Sequence, residues 1–254
     1  MEALFVISFF LLGTIVASFI GVVADRLNTG QSFFTGRSYC DICGAPLSPL
    51  MLVPIASYLF TRGRATCCGA RISSRAPLTE LVLGALFAGA YIKLGIMPAL
   101  PLFLISLSLL LAVVLYDLAH QILPPPLLLP FVASAAITGY VLAPSPQVLQ
   151  ASLVVAVLIS LTLGLIHAIS RGRAMGLADA PLSFGLSLLV GPAAFPGFVF
   201  SFWVGAVVGI VLLFMRPAGS RMGVEVPFAP FLAAGFLLAY FTQWNPFIFV
   251  EVLL

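Results

Sequence analysis

The stretch PALPLFLISLSLLLAVVLYD, residues 98–117, carries a single charge, the aspartate at its end. Twenty residues of helix rise about 30 Å, the thickness of a bilayer's hydrocarbon core. Strands of a membrane barrel alternate in polarity, and this run does not. It reads as a membrane-spanning helix. The rest of the chain agrees: of 254 residues 62% are hydrophobic and only 7% charged, whereas a soluble domain carries about 25% charged residues. The fold class expected is all-α, a polytopic membrane protein in contact with lipid throughout. The net charge of +3 calls for no nucleic-acid partner.

Eight candidate spans follow, near residues 3–25, 77–94, 98–117, 124–143, 148–170, 179–195, 197–215 and 228–248. Between the first two lies a polar, cysteine-containing insertion. The expected organisation is a first helix over 1–25, a cysteine domain over 26–76 and a membrane domain over 77–254. The N-terminal run has no basic segment ahead of it and is followed by Arg26, so it reads as a retained helix.

Basic residues report orientation. With the N-terminus outside, Arg26, Arg37, Arg62, Arg64, Arg71, Arg75, Arg171, Arg173, Arg216 and Arg221 all fall in cytoplasmic segments, and only Lys93 falls outside. That topology brings Asp117, at the end of the third span, and Asp179, at the start of the sixth, to the same face.

These two aspartates sit beside apolar helices with no adjacent basic partner. An acid in such a place lines a cavity or meets a partner. Two aspartates facing one another share a proton, so that one acts as base and the other as acid. The base activates a water against a peptide carbonyl, and the acid assists the leaving amine. Ser, Thr and Lys are sparse around both, which disfavours a covalent mechanism. The structural alternative is helix capping. It suits Asp179, which precedes Ala180-Pro181. It suits Asp117 poorly, because a negative charge at a helix C-terminus opposes the dipole. A transporter or channel using both acids as proton or ion sites is the competing function.

Cys40 and Cys43 form a C-x-x-C pair, and Cys67 and Cys68 follow. Thiols in the cytoplasm stay reduced, so a zinc site held by Cys40, Cys43, Cys67 and Cys68 is set against a metal-free domain with buried thiols. Glu80, at the start of the second span, is expected to pair with Arg75 or to cap its helix. His120 is placed in the polar entry of a loop, because Pro124-Pro125-Pro126 ends the helix. His167 reads as interfacial.

The segment YDLAHQILPPPLLLP around Asp117 resembles the first aspartate motif of the type IV prepilin peptidases. GLADAPLSFGLSLLVG around Asp179 resembles their second, Gly-x-Gly-Asp-x-Lys-Leu. ASFIGVVADRL (residues 17–27) and the cysteine domain are similar to further segments of that family, and the four occur in order. The resemblance implies a membrane aspartic endopeptidase of the bacterial inner membrane, with Asp117 and Asp179 as its dyad. It would cut leaders from prepilin or pseudopilin precursors of type IV pili and type II secretion at the cytoplasmic face. Many members also methylate the new N-terminus from S-adenosylmethionine. The chain departs from the pattern at Gly21, Pro125, Ala178 and Pro181, and at Ala65, where the third family cysteine would stand. Ala178 is expected to restrict a turn that glycine permits, and the changes together raise a third reading, a relative that binds pilin-like proteins without cutting them.

Overall fold

The computed structural model describes residues 1–29, 32, 38–40, 42–215 and 226–246. Arg37, Arg216 and Arg221 of the charge count, and residues 247–248 of the last expected span, lie outside them. The chain forms two compact units, Met1–Leu100 and Pro101–Leu254.

In the first unit, α1 (Glu2–Arg26) packs on α3 (Arg75–Leu94). Glycines set how close they come. A Cβ on Gly13 would stand 2.7 Å from the Leu83 carbonyl oxygen, and one on Gly84 would stand 2.9 Å from Thr14. Small residues draw membrane helices together in this way, because lipid offers no hydrophobic force to do it. Ala17 and Leu83 are fully buried at the contact.

Between these helices lies the short helix α2 (Ala56–Phe60). It starts from Ile55, whose φ of 59° and ψ of −50° make a γ-turn closed by the Ala56 N–H on the Pro54 carbonyl at 2.5 Å. A β-branched residue resists that conformation. Glu80, 6% exposed, holds it by accepting the Ile55 N–H at 2.7 Å. The carboxylate therefore neither pairs with Arg75 nor caps α3; it ties the start of α2 to α3. Replacing Glu80 with Ala orphans the Ile55 N–H in a part-buried site, and we expect a loss of about 1–3 kcal/mol, read as a lower melting temperature of the purified chain.

The second unit contains the rest of α4 (Ala99–His120), then α5 (Pro125–Leu142), α6 (Pro146–Ser170), α7 (Asp179–Val190), α8 (Ala194–Met215) and α9 (Ala229–Thr242). α4 stops at His120 ahead of the proline run, with the exposed imidazole tilted against Tyr116. Pro124 and Pro125 then begin α5, where a missing N–H costs nothing. α4 and α5 are joined inside the unit by hydroxyls: Ser106 meets both Ser134 and Thr138 at 3.1 Å. Such a bond in a membrane bundle contributes about 0.6–2 kcal/mol.

α7 is the core helix. Ten of its twelve residues are buried. α5 packs on it where Gly185 admits the Phe131 ring and Gly139 admits the Leu188 carbonyl. α6 is tied to it by Ser160, which donates to the Ala180 carbonyl at 2.9 Å. α8 and α9 cross at Gly197, Ser201, Gly235 and Phe236; a Cβ on Gly235 would run into the Ser201 backbone and hydroxyl.

Among the described residues, six helical stretches are long and apolar enough to cross a membrane. Among the described residues each of the eight expected apolar segments carries a helix, the last only over Ala229–Thr242. However, α7, at 12 residues, and α9, at 14, are shorter than the roughly 20 residues a span needs. A short 3-10 turn at Gly191–Ala193 separates α7 from α8, at the Gly-Pro step seen in the sequence. A broken helix is tolerated in a membrane when protein covers it, and α7 is covered on nearly every side.

Candidate active site

Both aspartates are in the second unit, each 5% exposed. Asp117 lies near the end of α4. Its Oδ2 accepts the backbone N–H of Ala229 at 3.3 Å, the first residue of α9. The unfavourable position at one helix C-terminus is thus offset by the N-terminus of another, where unpaired N–H groups and the dipole favour an anion. Sequence reading missed this partner. Its signal was Pro230, a residue favoured at a helix start.

Asp179 is not an N-cap in the forward sense. Its Oδ2 reaches back to the Gly176 N–H at 3.1 Å, while the Asp179 N–H bonds the Gly176 carbonyl at 3.3 Å. The two bonds close a tight turn over Gly176–Asp179 immediately ahead of α7, whose N-cap is Ala178. A Cβ on Gly176 would stand 3.3 Å from that carboxylate oxygen, so glycine keeps the approach open. Ala178, by contrast, has φ −72° and ψ −13°, ordinary helical values. The expected restriction does not arise, because glycine's extra freedom is not used here. Ala178→Gly should bring no gain in cleavage, measured as the rate of product formation beside the unsubstituted chain. Pro181 falls in the first turn of α7, where proline is tolerated.

The loop into Asp179 is held from α6. That helix ends with the Gly172 N–H on the His167 carbonyl at 2.9 Å and the Arg171 N–H on Ala168 at 3.2 Å, a Schellman ending with Arg171 in the left-handed region. The His167 Nδ1 contacts the Met175 carbonyl at 2.8 Å. Since a carbonyl only accepts, this nitrogen carries the proton. His167 is therefore a brace for the loop, a role its isolated position did not reveal.

The carboxylates of Asp117 and Asp179 lie within electrostatic range of each other, and His167 within range of Asp179. Each aspartate is anchored through Oδ2 alone. Among the described residues no buried side-chain oxygen lacks a partner, so each Oδ1 keeps access to solvent. Each carboxylate is held through one oxygen and keeps the other without a protein partner.

The cysteines form a second site, in the first unit. Residues 38–47 and 63–72 repeat the same loop at an offset of 25 residues, Cys40 matching Ala65 and Cys43 matching Cys68. Tyr39 bridges Pro46 as Arg64 bridges Arg71. The Gly44 N–H bonds the Cys40 carbonyl at 2.8 Å, as the Gly69 N–H bonds Ala65 at 2.7 Å. The second loop lacks the thiol at 65, and Cys67 supplies one instead: its Sγ is 3.4 Å from Cys43 and 3.9 Å from Cys68. All four Sγ atoms lie within 4.8 Å of one another. A tetrahedron with zinc–sulfur bonds of about 2.3 Å has edges of about 3.8 Å, so these four residues fit zinc. Without metal, backbone N–H groups of Cys43 and Ile42 pull the Cys40 thiol down to about 6, while the hydrogen bond with Cys43 pushes Cys67 up to about 12. One thiolate is thereby shared among its neighbours.

Two family models match: the bacterial peptidase A24 N-terminal domain over residues 11–94 and the type IV leader peptidase family over residues 104–213. A Bacillus subtilis protein named prepilin leader peptidase/N-methyltransferase is 34% identical over 91% of this chain and 92% of its own length. One of the same name from Pseudomonas aeruginosa is 28% identical over 90% of the chain and 87% of its own length. A third, from Myxococcus xanthus, is 40% identical over 48% of the chain and 36% of its own length. No solved structure matches. The transporter and the non-cleaving binder are not favoured by these matches, and the chain, a multi-pass membrane protein, belongs to the type IV leader peptidase family.

Proposed function

We propose that Asp117 and Asp179 are the catalytic dyad with which this prepilin peptidase cleaves leader peptides. The observation that carries the proposal is the pair's geometry: two nearly buried carboxylates, each tied to a backbone N–H through one oxygen and open on the other. A water between the open oxygens loses a proton to one carboxylate and attacks the scissile carbonyl. The other carboxyl, protonated, donates its proton to that carbonyl oxygen; the first carboxyl then passes the proton it took from the water to the leaving amine, and the second recovers its own from the gem-diol hydroxyl as the C–N bond breaks. The substrates are prepilin-like precursors with a basic leader, entering from the cytoplasmic face of the bacterial inner membrane. The test is incubation of the purified chain in bilayers with a pilin-like precursor and mass analysis of the products. A single cut releasing the basic leader supports the proposal, and an intact precursor refutes it. The relatives are also named N-methyltransferases; the same spectra show transfer from S-adenosylmethionine as the added mass of one methyl group.

Zinc in the cysteine cluster would fasten the two loops together, a closed structural site. We expect about one zinc per purified chain, lost in Cys67→Ser and regained in Cys67→Ser with Ala65→Cys, because the 25-residue repeat puts residue 65 in the position of Cys40. Metal content measured by elemental analysis decides this, and a chain that purifies without zinc from zinc-supplied cells contradicts it.

A further inference from the structure

The first unit carries a pocket that neither aspartate chemistry nor the cysteines explain. It is a half-open cleft of about 300 Å³ lined by Tyr58, Arg62, Gly63, Arg64, Arg71 and Ile72. The loop closing α2 builds its floor. The Gly63 N–H bonds the Tyr58 carbonyl at 2.9 Å and the Arg62 N–H bonds Leu59 at 3.2 Å, with Arg62 (φ 52°) and Gly63 (φ 69°) both left-handed. The Tyr58 ring packs where a Gly63 side chain would be, 3.0 Å from the position of its Cβ. The Arg64–Arg71 bridge adds two more guanidinium groups. Among the described residues no carboxylate pairs with Arg62, Arg64 or Arg71. Three exposed cations gathered on one pocket, with no carboxylate paired to them among the described residues, make a seat for an anion such as phosphate.

The surroundings identify the source of that phosphate. The turn before α2 and α2 itself pack together and leave Leu50, Leu52, Val53, Leu59 and Phe60 exposed, Phe60 at 88%. Glu80 pins the start of α2 to the first turns of a membrane-spanning helix, which fixes the segment at the bilayer surface. Apolar side chains followed directly by arginines at that depth form an interfacial element, with the apolar groups in the acyl boundary and the cations at the headgroups. We propose that this pocket seats the phosphate of an anionic phospholipid, with Arg62, Arg64 and Arg71 as its donors.

The full chain with Phe60→Trp, in a Trp203→Phe and Trp244→Phe background, gives a local probe in nanodiscs. Phosphatidylglycerol or phosphatidylcholine with brominated acyl chains is supplied at equal fraction. We expect phosphatidylglycerol to quench about twofold more strongly, with no change on adding millimolar inorganic phosphate. Arg62→Gln, Arg64→Gln and Arg71→Gln together should abolish the preference, whereas the triple Lys variant should keep it, showing that the fold survives and that charge is what counts. Equal quenching by both lipids, a preference that survives the Gln variant, or loss of the preference in both variants overturns the proposal. So does displacement by inorganic phosphate, which would make the seat one for a soluble phosphate.

Discussion

Leader cleavage is expected to fall by about 10³-fold or more when either Asp117 or Asp179 is replaced by Asn, with membrane insertion and yield unchanged. Removing a positioned acid or base costs roughly 10²–10⁴-fold, and in the proposed mechanism each carboxyl both takes up and gives back a proton. Asn keeps the size of the side chain and its acceptor oxygen, so the bonds to Ala229 and Gly176 survive. What is lost is the proton. Precursor and product, separated by mass after a fixed incubation, give the rate. A variant that cuts at the wild-type rate removes its residue from the mechanism.

The second large effect lies far from the carboxylates in sequence. Gly235→Val should cripple cleavage and destabilise the chain together. α8 and α9 approach so closely that even a methyl at 235 meets the backbone of Ser201, and Gly197 is pressed likewise against Phe236. Overpacking of this kind costs about 1–3 kcal/mol, and backbone on the far side cannot yield as a flexible side chain does. α9 is also the element whose first N–H holds Asp117. Pushing it outward withdraws that donor, so activity should drop more steeply than the loss of stability alone explains. The check is to measure melting temperature and cleavage rate on the same preparations. If Gly235→Val melts lower and yet cuts at the wild-type rate at a temperature where it remains folded, the link between α9 and Asp117 is broken.

Much of this architecture is legible in residue type. An apolar run such as 98–117 has one stable state in a bilayer, because its backbone groups must be satisfied within the segment. The prolines at 124–126 and the Gly191-Pro192 step mark helix boundaries for the same local reasons. Asp117 and Asp179 stand out because charge is costly beside such runs. What stayed hidden depends on the third dimension. The partner of Asp117 is the Ala229 N–H, 112 residues away, and backbone donors carry no sequence signature. Glu80 was read as a local cap or ion-pair partner, but its bond to Ile55 spans 25 residues and answers a turn that isoleucine does not advertise. Ala178 looked like a defect against a glycine motif, and only its backbone angles show that glycine's freedom goes unused. Cys67 was expected among the zinc ligands, and the repeated loops show why a thiol is needed there: the position matching Cys40 is Ala65.

The central claim is that Asp117 and Asp179 act as one unit. The most direct measurement is the cleavage rate of four forms in the same bilayers: wild type, Asp117→Asn, Asp179→Asn and the double variant. Groups that share a single proton are not additive, so the double variant should be no slower than either single one. A double variant slower by the product of the two single losses would mean two carboxylates working independently, and would contradict the dyad.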